Sequence, residues 1–138
     1  MPARDKVHYQ VVNALVKDGW TITHDPLKVA WKTRKVLVDL GAEKLVAAQK
    51  GTEKIAVEIK SFIGANDLDD LYNALGQIML YRTALWQAES DRTLFLALDV
   101  AAYRQIFDDP DGETLRVREH INLLVFDKDT EEIMLWKT

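Results

Sequence analysis

Residues 54–62, Lys-Ile-Ala-Val-Glu-Ile-Lys-Ser-Phe, constrain this chain more than any other stretch. Ile55, Val57 and Ile59 alternate with Ala56, Glu58 and Lys60. That period of two marks a strand with one buried face. Glu58 and Lys60, two apart, then project together from the other face. Upstream, the apolar run Val36-Leu37-Val38 ends in Asp39. A second acid brought beside Glu58 would make an oxygen-ligand site for a hard divalent cation, with a lysine next to it. The plain alternative is an exposed strand face with a cross-strand ion pair, worth only a fraction of a kcal/mol.

The rest of the chain decides between these readings. At 138 residues and 48% hydrophobic content it fits a single domain, residues 1–138, with one core. There is no cysteine, which excludes disulfides, thiolate metal sites and cysteine nucleophiles. A reducing cytoplasm is compatible with that and is the expected location. No apolar run approaches the length of a membrane span, and the opening Met-Pro-Ala-Arg-Asp is not a signal peptide. The net charge of −4 argues against a generally basic nucleic-acid surface. A local exception is Lys28, Lys32, Arg34 and Lys35, four bases within eight residues that carry no acid. Trp31 lies among them, and basic residues interleaved with an aromatic suit contact with a phosphate backbone.

Taken in order, residues 5–18 predict a helix, with Val7, Val11, Val12, Ala14 and Leu15 at helical spacing and Gly19 as the stop. His8 falls at the edge of that apolar face. Residues 20–24 predict a strand broken by Pro26. Residues 36–39 predict a nearly all-apolar, central strand, and Gly41 permits a bend or bulge. Residues 43–49 and the Glu58 strand predict a long antiparallel hairpin turning at 50–53. A long helix from Asn66 or Asp67 to about Ala88 carries Gln77 and Tyr81, four apart, on one face. Residues 94–98 predict a buried parallel strand, 100–107 a shorter helix, 108–113 a turn-rich acidic loop, and 121–126 and 132–136 two further strands.

This order places Asp39 on one strand, Glu58-x-Lys60 on the next, and Gln77 with Tyr81 on the following helix. It resembles the PD-(D/E)xK nuclease superfamily, the restriction-endonuclease-like fold. More narrowly, Lys17–Leu27, Val38–Glu43, Ile55–Phe62 and Ala74–Gln77 resemble the XisH family, the fdxN-element excision controlling factors of cyanobacteria. The resemblance implies an α/β restriction-endonuclease-like core. Its mixed central β-sheet would be flanked by helices, with the long hairpin and extra C-terminal strands added. Val38 stands where the nuclease pattern has proline. In a hairpin turning at Gly51 and Thr52, Glu58 faces Lys44 or Leu45, so the second acid is Asp39 by motif and Glu43 by register.

The resemblance also implies a mechanism, metal-assisted phosphodiester hydrolysis. Asp39, Glu58 and the main-chain carbonyl of Ile59 would hold Mg²⁺ or Mn²⁺. Lys60 would orient or deprotonate the attacking water, and Gln77 would position water or phosphate. Tyr81 would support the helix face, with His8 as an extra candidate. Lys28, Lys32, Arg34 and Lys35 would grip DNA. The implied partners are DNA and a companion excision factor, XisI, and a homodimer stays open beside them. The competing class is a non-catalytic DNA-binding or partner-binding factor with the same fold.

Overall fold

A computed structural model describes residues 6–46, 51–62, 67–89 and 91–138. The elements are α1 (Lys6–Lys17), β1 (Thr21–His24), β2 (Leu27–Trp31), β3 (Arg34–Val38), β4 (Leu40–Val46) and β5 (Gly51–Ile59). Then come α2 (Asp67–Ala88), β6 (Arg92–Asp99), α3 (Val100–Ile106), α4 (Pro110–Arg118), β7 (Leu123–Asp127) and β8 (Glu132–Lys137). Six strands form one mixed sheet in the order β1-β4-β5-β6-β7-β8, and β2 and β3 form a separate two-stranded sheet. The two inner pairings, β5 with β6 and β6 with β7, are parallel, and the other three are antiparallel.

Apolar alternation divides the main sheet between two helix layers. Ile55 and Val57 pack with Leu40, Phe95 and Phe126 against Val11, Ala14 and Leu15 of α1. Ala56, Leu94, Leu96 and Leu98 face the other way, toward Ala74, Ile78 and Leu85 of α2 and toward Leu27, Val29 and Val38 of the small sheet. Both faces of β5 are therefore covered. Each fully buried Ile or Leu contributes roughly 1.5–3 kcal/mol by leaving water. The α1 stop follows from Gly19, whose φ of 93° suits glycine. Beyond it the Trp20 N–H returns to the Leu15 carbonyl at 3.0 Å.

Several expectations need correction. The run Val36–Val38 is not central: it is β3 of the small sheet, with Leu37 exposed. The β4–β5 hairpin does not turn at Gly51 and Thr52, because Gly51 already pairs with Val46. Its turn, and Asn66 as a helix cap, lie outside the described residues. Gly41 keeps regular register with β5, and the irregularity falls opposite it, between Ile22 and His24 of β1. The acidic stretch at 108–113 is not a loop throughout. Asp109 caps α4 by accepting from the Gly112 N–H at 2.7 Å, and Pro110 fills the first turn. The C-terminal strands β7 and β8 are integral to the main sheet. Among the described residues no helix is long and apolar enough to cross a membrane.

Candidate functional site

The register of the β4–β5 hairpin builds the site. Leu40 pairs with Val57, Gly41 with Ala56 and Ala42 with Ile55. One step beyond Leu40, Asp39 comes opposite Glu58. Asp39 is also the single residue between β3 and β4, so it stands where the small sheet joins the large one. Two hydrogen bonds fix it there. Its N–H donates to Glu58 Oε1 at 3.3 Å, and its Oδ2 accepts from the Ile59 N–H at 2.7 Å. No bulge at Gly41 is needed. Glu43, the alternative acid, pairs with Lys54 and reaches 3.9 Å from the guanidinium of Arg92, away from Glu58.

Glu58 is 6% exposed, so the exposed ion-pair reading fails. Burial, and next the charge of Asp39, push its carboxyl up to about 8, against a smaller opposing effect of Lys60. Lys60 follows Ile59 at the strand end, where its N–H donates to the Ala97 carbonyl at 3.0 Å. Tyr81 of α2 lies within the electrostatic reach of both acids. Burial first, then Glu58 and Asp39, raise its hydroxyl to about 12, so it remains a neutral donor. Gln77, one turn before Tyr81, has a buried Oε1 that accepts no hydrogen bond. Asp39, Glu58, Lys60 and Tyr81 are thus brought to one region between β5 and α2, and Gln77 stands one turn before Tyr81 on the same helix.

The donor set suits a hard cation. Two carboxylates and the Ile59 carbonyl are oxygen donors of the kind such a cation takes. Burial first, and then the charge of Asp39, raise Glu58, and a cation would relieve the second of these. Among the described residues no group of three or more His, Cys, Asp or Glu side chains is placed to hold a metal, so the acids number two.

His8 is not part of this arrangement. It sits on α1, with Nε2 2.9 Å from Asp25 Oδ1 in the turn after β1. The basic residues Lys28, Lys32, Arg34 and Lys35 are all exposed on the β2–β3 hairpin. Lys28 lies opposite Leu37, and Arg34 opposite Trp31. Lys32, in the turn, holds its ammonium 5.8 Å from the Trp31 ring. The same hairpin supplies Val36 and Leu37 to an open groove of about 480 Å³, whose other wall is α2, with Tyr72, Gly76, Gln77 and Tyr81. The four bases therefore share the hairpin that walls this groove, but none of them lines it.

Two residues escaped the sequence reading. Asp70 shares the Gln77 and Tyr81 side of α2, seven residues before Gln77, and its buried Oδ2 accepts no hydrogen bond. The seven-residue spacing was the available signal. Arg92 is buried at the start of β6, donating to the Ile55 carbonyl at 2.9 Å and to Glu89 at 3.1 Å. Its burial had no local signal, because the carbonyl that it meets in β5 is 37 residues away.

A profile of the XisH protein family matches residues 1–134. The chain belongs to the XisH family. The matched span includes every residue of the acid pair and the helix that faces it. Two solved structures are similar over nearly the whole XisH-family chain. An XisH family protein from Nostoc punctiforme PCC 73102 is 33% identical, with 97% of this chain and 100% of that one covered and a TM-score of 0.86. A fdxN element excision controlling factor protein from Anabaena variabilis is 35% identical, with 98% and 100% covered and a TM-score of 0.86. A comparison with curated proteins finds no match.

Proposed function

We propose that this XisH-family chain is a metal-dependent DNA endonuclease with a restriction-endonuclease-like core, acting in the excision of a DNA element. The observation that carries the reading is the Asp39–Glu58 register, with Lys60 two residues after Glu58, just past the end of the strand. The cation would be Mg²⁺ or Mn²⁺, held by Asp39, Glu58 and the Ile59 carbonyl. When bound it supplies a Lewis acid that acidifies water and offsets charge on phosphate oxygens. The chain's own residues do the rest. The Ile59 N–H orients the Asp39 carboxylate. Lys60 would orient or deprotonate the attacking water. Gln77 offers an unsatisfied acceptor to water. Lys28, Lys32, Arg34 and Lys35 supply the positive rim that a phosphate backbone needs.

Excision enters through the family relatives, one of which is a fdxN element excision controlling factor. The test is nicking of supercoiled DNA by the purified protein with Mg²⁺ or Mn²⁺. Nicks that disappear in Glu58→Ala support the reading. Nicks that persist unchanged in that variant overturn the site assignment.

A second reading has its own support. The acids number two among the described residues, the net charge is −4, and that relative is a controlling factor. These favour a nuclease-fold accessory factor that binds DNA or a companion such as XisI without cutting. DNA binding retained with no nicking under either metal selects it.

A further inference from the structure

The groove between the β2–β3 hairpin and α2 has a chemistry that metal-assisted hydrolysis does not call for. Among the described residues no charged side chain lines it. Val36 and Leu37 form one wall, and the rings of Tyr72 and Tyr81 stand on the other. Asn73 and Gln77, four apart on α2, add two carboxamides to the ring side. At about 480 Å³ the space falls within the range of small-ligand sites. Gly76 lies on the same wall and keeps it open. A glycine inside a helix is destabilising, and is ordinarily explained by a neighbour that leaves no room for a side chain. Gly76 has no such neighbour, since a Cβ there would meet nothing within 4 Å. Its bare backbone serves the groove and not the packing.

Charge beside the groove, and its absence within, indicate the occupant. Lys28 pairs with Leu37 across the hairpin, so its side chain lies beside a lining residue. Lys35, two residues before Leu37, projects from the same face. Both lysines are exposed. On the other wall α2 carries no acid from Asn73 to Ala88. An uncharged slot of rings and carboxamides with a positive border is how an unpaired nucleotide is held. The base stacks on an aromatic ring, an amide pairs with its polar edge, and the cations take the phosphates. A base inside a duplex cannot enter, because its edge is paired and its faces are stacked on its neighbours. An acidic peptide would use the positive border but bring no flat partner for the Tyr72 ring. Tyr81 lines the groove, and its hydroxyl lies within electrostatic reach of Glu58 and Asp39, so the groove adjoins the acid pair.

We propose that the groove between β3 and α2 seats one unpaired DNA base, stacked on Tyr72 and held at its edge by Asn73, so that the chain prefers locally unpaired DNA to intact duplex. The proposal rests on the reading of this chain as one that binds DNA. It is independent of cleavage, because Tyr72, Asn73 and Gly76 take no part in the acid pair.

Fluorescence anisotropy in EDTA, where no metal supports cutting, tests this with labelled DNAs of one sequence. They are an intact duplex, the same duplex with one bulged adenine, and the same duplex with an abasic bulge. At one salt concentration the parent should bind the bulged adenine roughly tenfold more tightly than either of the others, the size of one base–aromatic stack. Tyr72→Ala and Gly76→Leu should each lose that preference while binding the intact duplex as the parent does. Tyr72 is 61% exposed, so its truncation leaves the core intact. Leucine at position 76 fills open space on a helix, so Gly76→Leu should melt no lower than the parent. Equal affinity for the three DNAs, a preference shared by the abasic bulge, or a preference that survives Gly76→Leu would overturn the proposal and leave the DNA reading in place. Binding to none of them would overturn both. A preference for the bulged adenine without nicking under Mg²⁺ or Mn²⁺ upholds the base seat and removes only the cleavage.

Discussion

The carboxyl of Glu58 holds a proton that an exposed glutamate would have lost. Burial and Asp39 raise its native pKa from 4.5 to about 8. Between those values the folded state binds one more proton than the unfolded chain, so stability falls as pH rises. The contribution is complete below 4.5 and lost as pH passes through about 8. Each pH unit in that window removes about 1.4 kcal/mol. Glu58→Gln, neutral throughout, should flatten this slope and leave the metal-free variant at least as stable as the parent at pH 8. Urea melts of both proteins across pH 5–9 check this, and equal slopes would mean that Glu58 is ionised at neutral pH. The pairing of Asp39 with Glu58 was legible in the acid and Glu-x-Lys pattern, but its register was not. Gly51 and Thr52 have turn chemistry, which suggested that the hairpin closed there. Strand pairing instead extends through Gly51, and this shifts every partner of Glu58.

At the scale of elements, residue patterns identified the strands and helices well but not always what covers them. The Val36–Val38 run was legible as a strand and misleading as a central one, because its sheet partner β2 lies outside the main sheet. The sequence Asp-Asp-Pro-Asp-Gly at 108–112 reads as a turn, yet the same chemistry begins α4, since an acid cap followed by proline suits a helix start. In α2 the apolar spacing ran through Leu68, Met79 and Trp86 as if all were core. Periodicity reports an apolar side but not whether anything packs on it. The β2–β3 hairpin carries a prediction at this scale. Replacing Lys28, Lys32, Arg34 and Lys35 with Ala should lower the log–log salt slope of DNA binding by about 0.9 for each phosphate that is no longer neutralised. Filter binding or fluorescence anisotropy at several salt concentrations measures it. An unchanged slope would leave the four as solvated charges.

Across the whole molecule, a cation bound only by the folded chain should couple the site to global stability. At a hundredfold excess over Kd the gain is about 2.7 kcal/mol, a rise in melting temperature of several degrees for a domain of this size. Mn²⁺ should raise the melting temperature of the parent and of Asp109→Asn, but not that of Asp39→Asn or Glu58→Gln. A response that survives in both site variants places the cation elsewhere. The join between the two sheets has a further, mechanical consequence. β3 ends at Val38 and β4 begins at Leu40, so Asp39 is one of two joins between the hairpin and the main sheet, the other running through Asp25 and Pro26 after β1. Val38 is buried at the foot of that arm, while Lys32 and Arg34 ride at its exposed tip. The N–H and carboxylate at the Asp39 join tie it to Glu58 and Ile59. With Leu27, Val29 and Val38 packed against α2, a load on the bases is divided between that packing and the join that carries one of the two acids.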